Sequence, residues 1–306
     1  MIAFGSPITD PPLFERACRP GIERAKEADS IIMARASAGS IYRSYNLIIE
    51  EAAQIEGLEA LVLLHQDSEI LNEDFCAKIR AALADPEVGL VGACGAKGVR
   101  SIAWWDGSVT WASFTHRYEE FGGGEVAAFC YSDEPRPPYA QIGEVDTIDG
   151  FVMVLSPWGV QNCRFDESLG NLHGYDFDFC LTVREAGRKV VTADLQMVHH
   201  HSLDLVSNPE TWIQAHMTLA EKWAGRIDGA GDGPGDDWRH RARRAEAEAA
   251  VYRTLMHAEE LKRYAAVEEV TRSISWRLTH PLRTINRLRR AFRDPNTARA
   301  TRDIPR

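Results

Sequence analysis

Over residues 1–200 the chain alternates between two hydrophobic rhythms. MIAFGSPI, SIIMARA, ALVLL, VGLVGAC, TIDGFVMVLS and VVTADLQMVHHH are short apolar runs that predict strands. ALVLL is apolar at every position, the pattern of a strand covered on both faces. Between these runs the spacing changes to three and four. In SIYRSYNLIIEEAAQIEG the residues Ile41, Tyr45, Ile48 and Ala52 share one helical face, with Gly57 as the expected stop. EDFCAKIRAALADP, YDFDFCLTVREAGRKV (ended by Gly187) and TWIQAHMTLAEKWAG read as further helices. PLFERACRPGIERAKEA is helical in parts and broken at Pro20-Gly21. Strands alternating with helices predict an α/β fold, a mostly parallel, Rossmann-like central sheet flanked by helices.

The pattern changes twice. Residues 98–139 are rich in Trp, Gly and Pro and read as loops. GAGDGPGDD, 229–237, has the composition of a linker. The expected organisation is therefore a domain over 1–225, a Gly/Asp-rich linker over 226–238, a basic helical extension over 239–296 and a disordered end over 297–306. Charge follows this division. Residues 239–306 hold 17 basic and 8 acidic side chains, +9, leaving −19 on the rest within a total of −10. In RLTHPLRTINRLRRAFR, Leu278, Leu282, Ile285, Leu288 and Phe292 recur at three and four, with Arg283, Arg287, Arg290 and Arg293 on other faces. Two uses suit such a helix: residues 278–293 lie on an anionic membrane surface, or the apolar face packs on the body or on a second copy in a homo-oligomer.

Other classes drop out. No apolar run approaches the ~20 residues that span a bilayer, and the N-terminus lacks the basic and apolar regions of a signal peptide. Six cysteines are scattered without a C-x-x-C pair, and four of them, among apolar or small neighbours, read as reduced core thiols. The expected location is cytoplasmic, with the inner face of the cell membrane as a further station for the tail. An acidic protein without a binding motif excludes nucleic acid as partner.

Chemistry-bearing residues collect where strands end, the place where open parallel sheets bind ligands. Three clusters fall there or at the helix that follows: His65-Gln66-Asp67, Asp176-Phe177-Asp178 and His199-His200-His201. A carboxylate with imidazole suits Mn²⁺, and with phosphate oxygens also Mg²⁺. Each cluster has a plainer use: Asp67 with Ser68, or Asp176 alone, suits a helix N-cap, and adjacent histidines are commonly surface residues. From a strand, alternate histidines point to opposite sides.

In combination and order, the segments resemble the family 2 glycosyltransferases of GT-A fold, closest to their bacterial glycosyltransferase-like branch. LVLLHQDSEIL stands where that family has a D-x-D-type metal motif. RSIAWWDG, FGGGE and VDTIDGFVMVLS follow, the last resembling the acceptor-side strand. FDESLGNLHGYDFDFCLTVREAGRKV resembles the helix that carries the catalytic base, VVTADLQMVHHHS the strand with a last metal contact, and YRSYN the A-R-N-x-G segment. The likeness covers about residues 1–225.

The resemblance implies a nucleotide-sugar donor, a divalent cation (Mn or Mg), and a cell-surface glycan or lipid-linked acceptor, with inversion at the anomeric carbon. It implies Asp176 as the base, and Asp67, His65, Ser6 and the cation on the donor side. His199 or His200 would complete the metal shell. Asp149, Gly150, Asp178 and Trp105 would line the acceptor side. Two positions depart from the family pattern: His65 stands where the first Asp of D-x-D is common, removing one negative charge, and Tyr175 stands for the Glu before the base. Two rivals follow. One is a catalytically degenerate domain that binds glycan or a partner enzyme. The other is a nucleotidyltransferase, which would want a Gly-rich basic signature after the first strand where this chain has FGSPITDPP.

Overall fold

The run ALVLL sits inside a seven-stranded sheet, every residue of it buried. The structure is a computed structural model that describes residues 1–99, 102–104, 108–112, 114–117, 125–127, 143–200, 208–226 and 237–285. Its strands are β1 (Ile2–Ile8), β2 (Ile31–Ala36), β3 (Ala60–Leu64), β4 (Ser68–Ile70), β5 (Val88–Gly92), β6 (Cys94–Lys97) and β7 (Ser108–Ala112). They continue with β8 (Phe114–Arg117), β9 (Glu125–Ala127), β10 (Glu144–Val145), β11 (Thr147–Ile148), β12 (Val152–Leu155), β13 (Lys189–Thr192) and β14 (Met197–His199). The helices are α1 (Pro11–Leu13), α2 (Arg19–Ala25), α3 (Ile41–Ala52), α4 (Phe75–Ala82), α5 (Pro157–Asn162), α6 (Tyr175–Glu185), α7 (Pro209–Lys222), α8 (Asp237–Arg272) and α9 (Ile274–Leu278).

The central sheet has the order β10-β13-β5-β12-β3-β1-β2. β1, β2 and β3 pair in parallel, as do β5 and β13, while β12 runs antiparallel to both β3 and β5 and β10 antiparallel to β13. The sheet is thus mostly parallel, and it has helices on both faces, as the alternating pattern predicts. One layer packs Phe4, Val62 and Val154 against Phe14, Ile22 and Phe75. The other packs Leu61, Leu63 and Met153 against Tyr42, Tyr45, Ile49 and Phe179. Each large side chain so buried contributes about 1.5–3 kcal/mol.

Four local readings change. Pro20 does not break its helix: Phe14–Cys18 forms a π-helical turn and Pro20 falls in the first turn of α2, where its missing N–H costs nothing. α3 starts on a Ser40 cap and stops at Ala52, ahead of Gly57. TIDGFVMVLS divides into β11 and β12, in different sheets, with Asp149-Gly150 at the break. VVTADLQMVHHH divides into β13 and β14 around Gln196, whose φ of +48° turns the chain. β14 then joins a second sheet of order β4-β14-β8-β9.

The chain separates into two units, Met1–Leu255 and Met256–Arg306. The division falls within α8, later than the Gly/Asp-rich stretch expected to mark it, because Ala247, Ala250 and Val251 of α8 are buried in the first unit and Arg244 pairs with Glu210. In the second unit α8 runs on to Arg272 and α9 follows on a Ser273 cap. The last residues of the basic helix, 286–293, and the end, 297–306, lie outside the described residues. Cys18, Cys76, Cys94, Cys163 and Cys180 are buried free thiols. Among the described residues no helix is long and apolar enough to cross a membrane.

Candidate active site

β3 ends at Leu64, and the chain turns directly after it. His65 N–H donates to Phe151 O (3.0 Å), Ser68 N–H closes the turn onto His65 O (3.1 Å), and Ser68 Oγ also donates to Phe151 O (2.9 Å). The residues after Asp67 form β4, so Asp67 caps no helix. Gln66, to which the sequence pattern assigns no role of its own, holds the end of β1 to this turn. Its Oε1 accepts from Thr9 N (2.9 Å) and Asp10 N (2.8 Å), and its Nε2 donates to Thr9 Oγ1 (2.7 Å).

The antiparallel pairing of β14 with β4 sets His199 opposite Ser68 and so beside Asp67. His199 Nε2 lies 3.6 Å from Asp67 Oδ1, and His65 Nδ1 lies 3.8 Å from the same oxygen. The His199 ring stacks on Phe151 at 4.7 Å. One donor atom from each of His65, Asp67 and His199 lies within 4.8 Å of the others. Two imidazoles and a carboxylate converging at this spacing fit a divalent cation of borderline hardness. The two histidines differ electrostatically. Burial lowers the His65 pKa, whereas at His199 burial is outweighed by the Asp67 charge and hydrogen bond, and the pKa rises. His200 is turned away from the cluster, as strand alternation requires: its Nε2 meets Glu69 Oε2 at 2.9 Å, and its N–H donates to Asp67 O. The reading of His200 as a metal ligand is corrected accordingly. His201 lies outside the described residues.

The second half of the site comes from α6. Gly174, at φ +78°, turns the chain into the helix, a conformation that disfavours side chains. Asp176 is then the second helical residue rather than its cap. Its Oδ1 accepts from Phe177 N (2.9 Å) and its Oδ2 from Gly150 N (3.0 Å). Burial, with Asp149 as the next cause, pushes its pKa from 3.8 up to about 7. Asp149 is held by two donors, Trp104 Nε1 (3.0 Å) and Phe151 N (3.1 Å). Gly150 is required by contact: a Cβ there would lie 2.3 Å from the Tyr175 hydroxyl.

Two expected site residues, Asp178 and Ser6, are placed differently. Asp178 is 1% exposed and accepts from Lys222 Nζ (3.0 Å) and Trp223 Nε1 (2.8 Å). Lys222 also binds Asp166 (2.8 Å), so Asp178 ties α6 to the end of α7 rather than meeting an acceptor. Ser6 is 1% exposed, which closes its hydroxyl off from a donor. Trp105 lies outside the described residues; its neighbour Trp104 donates to Asp149.

The model of a family described as glycosyltransferase like matches residues 21–218, more than half of the chain. The streptomycin biosynthesis protein StrF of Streptomyces griseus is 29% identical over 205 residues, 66% of this chain and 67% of its own length. Among solved structures, the mannosyltransferase PcManGT of Pyrobaculum calidifontis, in complex with GDP-Man and Mn²⁺, is 15% identical with a TM-score of 0.44, over 98% of this chain and 83% of that one. GalNAc-T7 with UDP, GalNAc and Mn²⁺ is 8% identical with a TM-score of 0.48, over 81% of this chain and 54% of that one. The matched stretch, residues 21–218, contains His65, Asp67, Asp149, Asp176 and His199, and on that match the chain belongs to the glycosyltransferase-like family.

Proposed function

We propose that this glycosyltransferase moves a sugar from a nucleotide-sugar to an acceptor hydroxyl by direct displacement with inversion. The observation that carries the reading is the meeting of two groups of residues around Phe151. On one side stand His65, Asp67 and His199, which would hold a divalent cation, Mn²⁺ or Mg²⁺. On the other stands Asp176, linked through Gly150 N–H. When bound, such a cation neutralises the charge that develops on a departing diphosphate. Asp176, with a pKa of about 7, is matched to taking a proton from an acceptor hydroxyl near neutrality. Asp149 and Gly150 form the acceptor-side wall: Gly150 fixes one Asp176 oxygen and Asp149 raises its basicity. The rival reading as a binding module without chemistry finds no support in a carboxyl so tuned.

The tail bears on the acceptor. Ile274, Leu278, Leu282 and Ile285 are exposed, at 75%, 75%, 65% and 48%. Residues 271–293 carry seven arginines and no acid. An apolar face with this charge suits an anionic membrane, and two like-charged copies pairing there would repel. This favours a lipid-linked acceptor over a homo-oligomer. StrF, named for streptomycin biosynthesis, makes a small-molecule acceptor the competing arm of the assay.

Thermal-shift screening of nucleotide-sugars with and without Mn²⁺ tests the donor half, since a ligand of the native state raises the melting temperature. Stabilisation by one nucleotide-sugar, larger with Mn²⁺, is expected; no response to any nucleotide-sugar contradicts it. Flotation with phosphatidylglycerol vesicles, against phosphatidylcholine alone, tests the tail. Binding should require the anionic lipid and be lost when residues 271–306 are removed.

A further inference from the structure

We infer that Tyr175 is a positioning residue for the metal ligand His65, an inference that rests on the cation reading above. The Tyr175 ring is buried and caged by other aromatics: Tyr42 at 6.1 Å, Tyr45 at 5.9 Å and Phe165 at 6.0 Å between ring centroids. Tyr42 is itself fixed by its hydroxyl, which donates to His173 O (2.7 Å). The caged ring leaves the Tyr175 hydroxyl one place to go. It lies against Gly150, where even a Cβ would collide with it, and 2.5 Å from His65 Nε2.

The two ring nitrogens of His65 therefore face different partners. Nε2 meets Tyr175, while Nδ1 faces Asp67 Oδ1 at 3.8 Å, on the side where His199 also converges. A neutral imidazole has one N–H and one lone pair, and the hydrogen bond made by one nitrogen determines which form the other takes. When Tyr175 oxygen accepts from Nε2–H, the lone pair of Nδ1 points at the cation position and the ring cannot rotate out of it. A hydrogen bond to the far nitrogen is the usual device by which a ligating histidine is held, and its loss typically costs about 10–100-fold in metal affinity. Because Tyr175 immediately precedes Asp176, the same helix start would place the metal ligand and the base.

The test is Mn²⁺ titration by calorimetry on the full chain in four forms: wild type, Tyr175→Phe, His65→Ala and the double variant. Tyr175→Phe should weaken Mn²⁺ binding about 10–100-fold with its melting temperature nearly kept, and should add nothing in the His65→Ala background. If Tyr175→Phe binds as wild type does while His65→Ala loses affinity, the positioning role is overturned and the metal site stands. A loss that persists on top of His65→Ala overturns it as well, since Tyr175 would then act by another route. No Mn²⁺ binding by wild type would overturn the cation reading itself. Long-range proton–nitrogen NMR on the metal-free wild-type protein gives a readout free of any variant: His65 should show the Nε2–H form, and the Nδ1–H form would refute the inference.

Discussion

The raised pKa of Asp176 makes a prediction about stability that is separate from activity. A carboxyl moved from 3.8 to about 7 costs more to ionise in the folded chain than in the unfolded one, by about 4 kcal/mol at about 1.36 kcal/mol per pH unit. Below pH 3.8 both states hold the proton and the cost is absent. It grows as pH rises from about 4 and is complete above about 7, so wild-type stability falls across that window on account of this group. Asp176→Asn cannot ionise and escapes the cost. Asn cannot accept with both side-chain heavy atoms, so one of the bonds from Phe177 N and Gly150 N is lost, at about 1–2 kcal/mol. The net gain at pH 8 is about 2 kcal/mol, or roughly 4–8 °C in melting temperature for a domain of this size. Thermal unfolding of both proteins between pH 4 and 8 measures it, and the difference between the two curves isolates Asp176 from other titrating groups. A variant no more stable than wild type at pH 8, with the same pH dependence, would refute the buried, charge-repelled state assigned to this carboxyl.

Other expectations follow from neighbouring groups. Asp149→Asn removes the negative charge beside Asp176, so the acidic limb of the pH–rate profile should move down from about 7 by roughly one unit; an unmoved limb would exclude Asp149 as a cause. His199→Ala should weaken Mn²⁺ binding at least about tenfold, whereas His200→Ala, whose ring meets Glu69, should leave it within about twofold; calorimetry separates them, and equal losses would return His200 to the metal shell. Lys222→Met leaves Asp178 buried with the Trp223 indole still donating to it, and denaturant unfolding should show a loss of about 3–5 kcal/mol. A loss below about 1 kcal/mol would mean that Asp178 does not depend on this pair.

Much of the architecture is legible in the order of residues because it depends on local period. ALVLL and the spacing of Ile41, Tyr45, Ile48 and Ala52 state burial directly, and β3 and α3 form there. What could not be read depends on partners distant in sequence. Continuous apolar alternation does not show that β11 and β12, or β13 and β14, belong to different sheets, since the breaks lie in backbone turns at Asp149-Gly150 and Gln196. Asp178 looked like an acceptor contact because its partners Lys222 and Trp223 stand 44 and 45 residues away. Alternation along a strand separates His199 from His200, but only the pairing of His199 with Ser68 shows which one meets Asp67. Asp67 itself could be read as a cap until β4, rather than a helix, followed it. Gln66 lay between the two residues of interest, and only its bonds to Thr9 and Asp10 reveal its part.

The central claim is that Asp67 and Asp176 act together on one sugar transfer, one through the cation and the other as base. It is tested most directly by measuring nucleoside diphosphate release, with the stabilising donor and its acceptor in the presence of Mn²⁺, for wild type, Asp67→Ala and Asp176→Ala. Each variant is expected to lose at least about a hundredfold in turnover, with Mn²⁺ affinity falling in Asp67→Ala and kept in Asp176→Ala. Wild-type turnover in both variants would contradict the account.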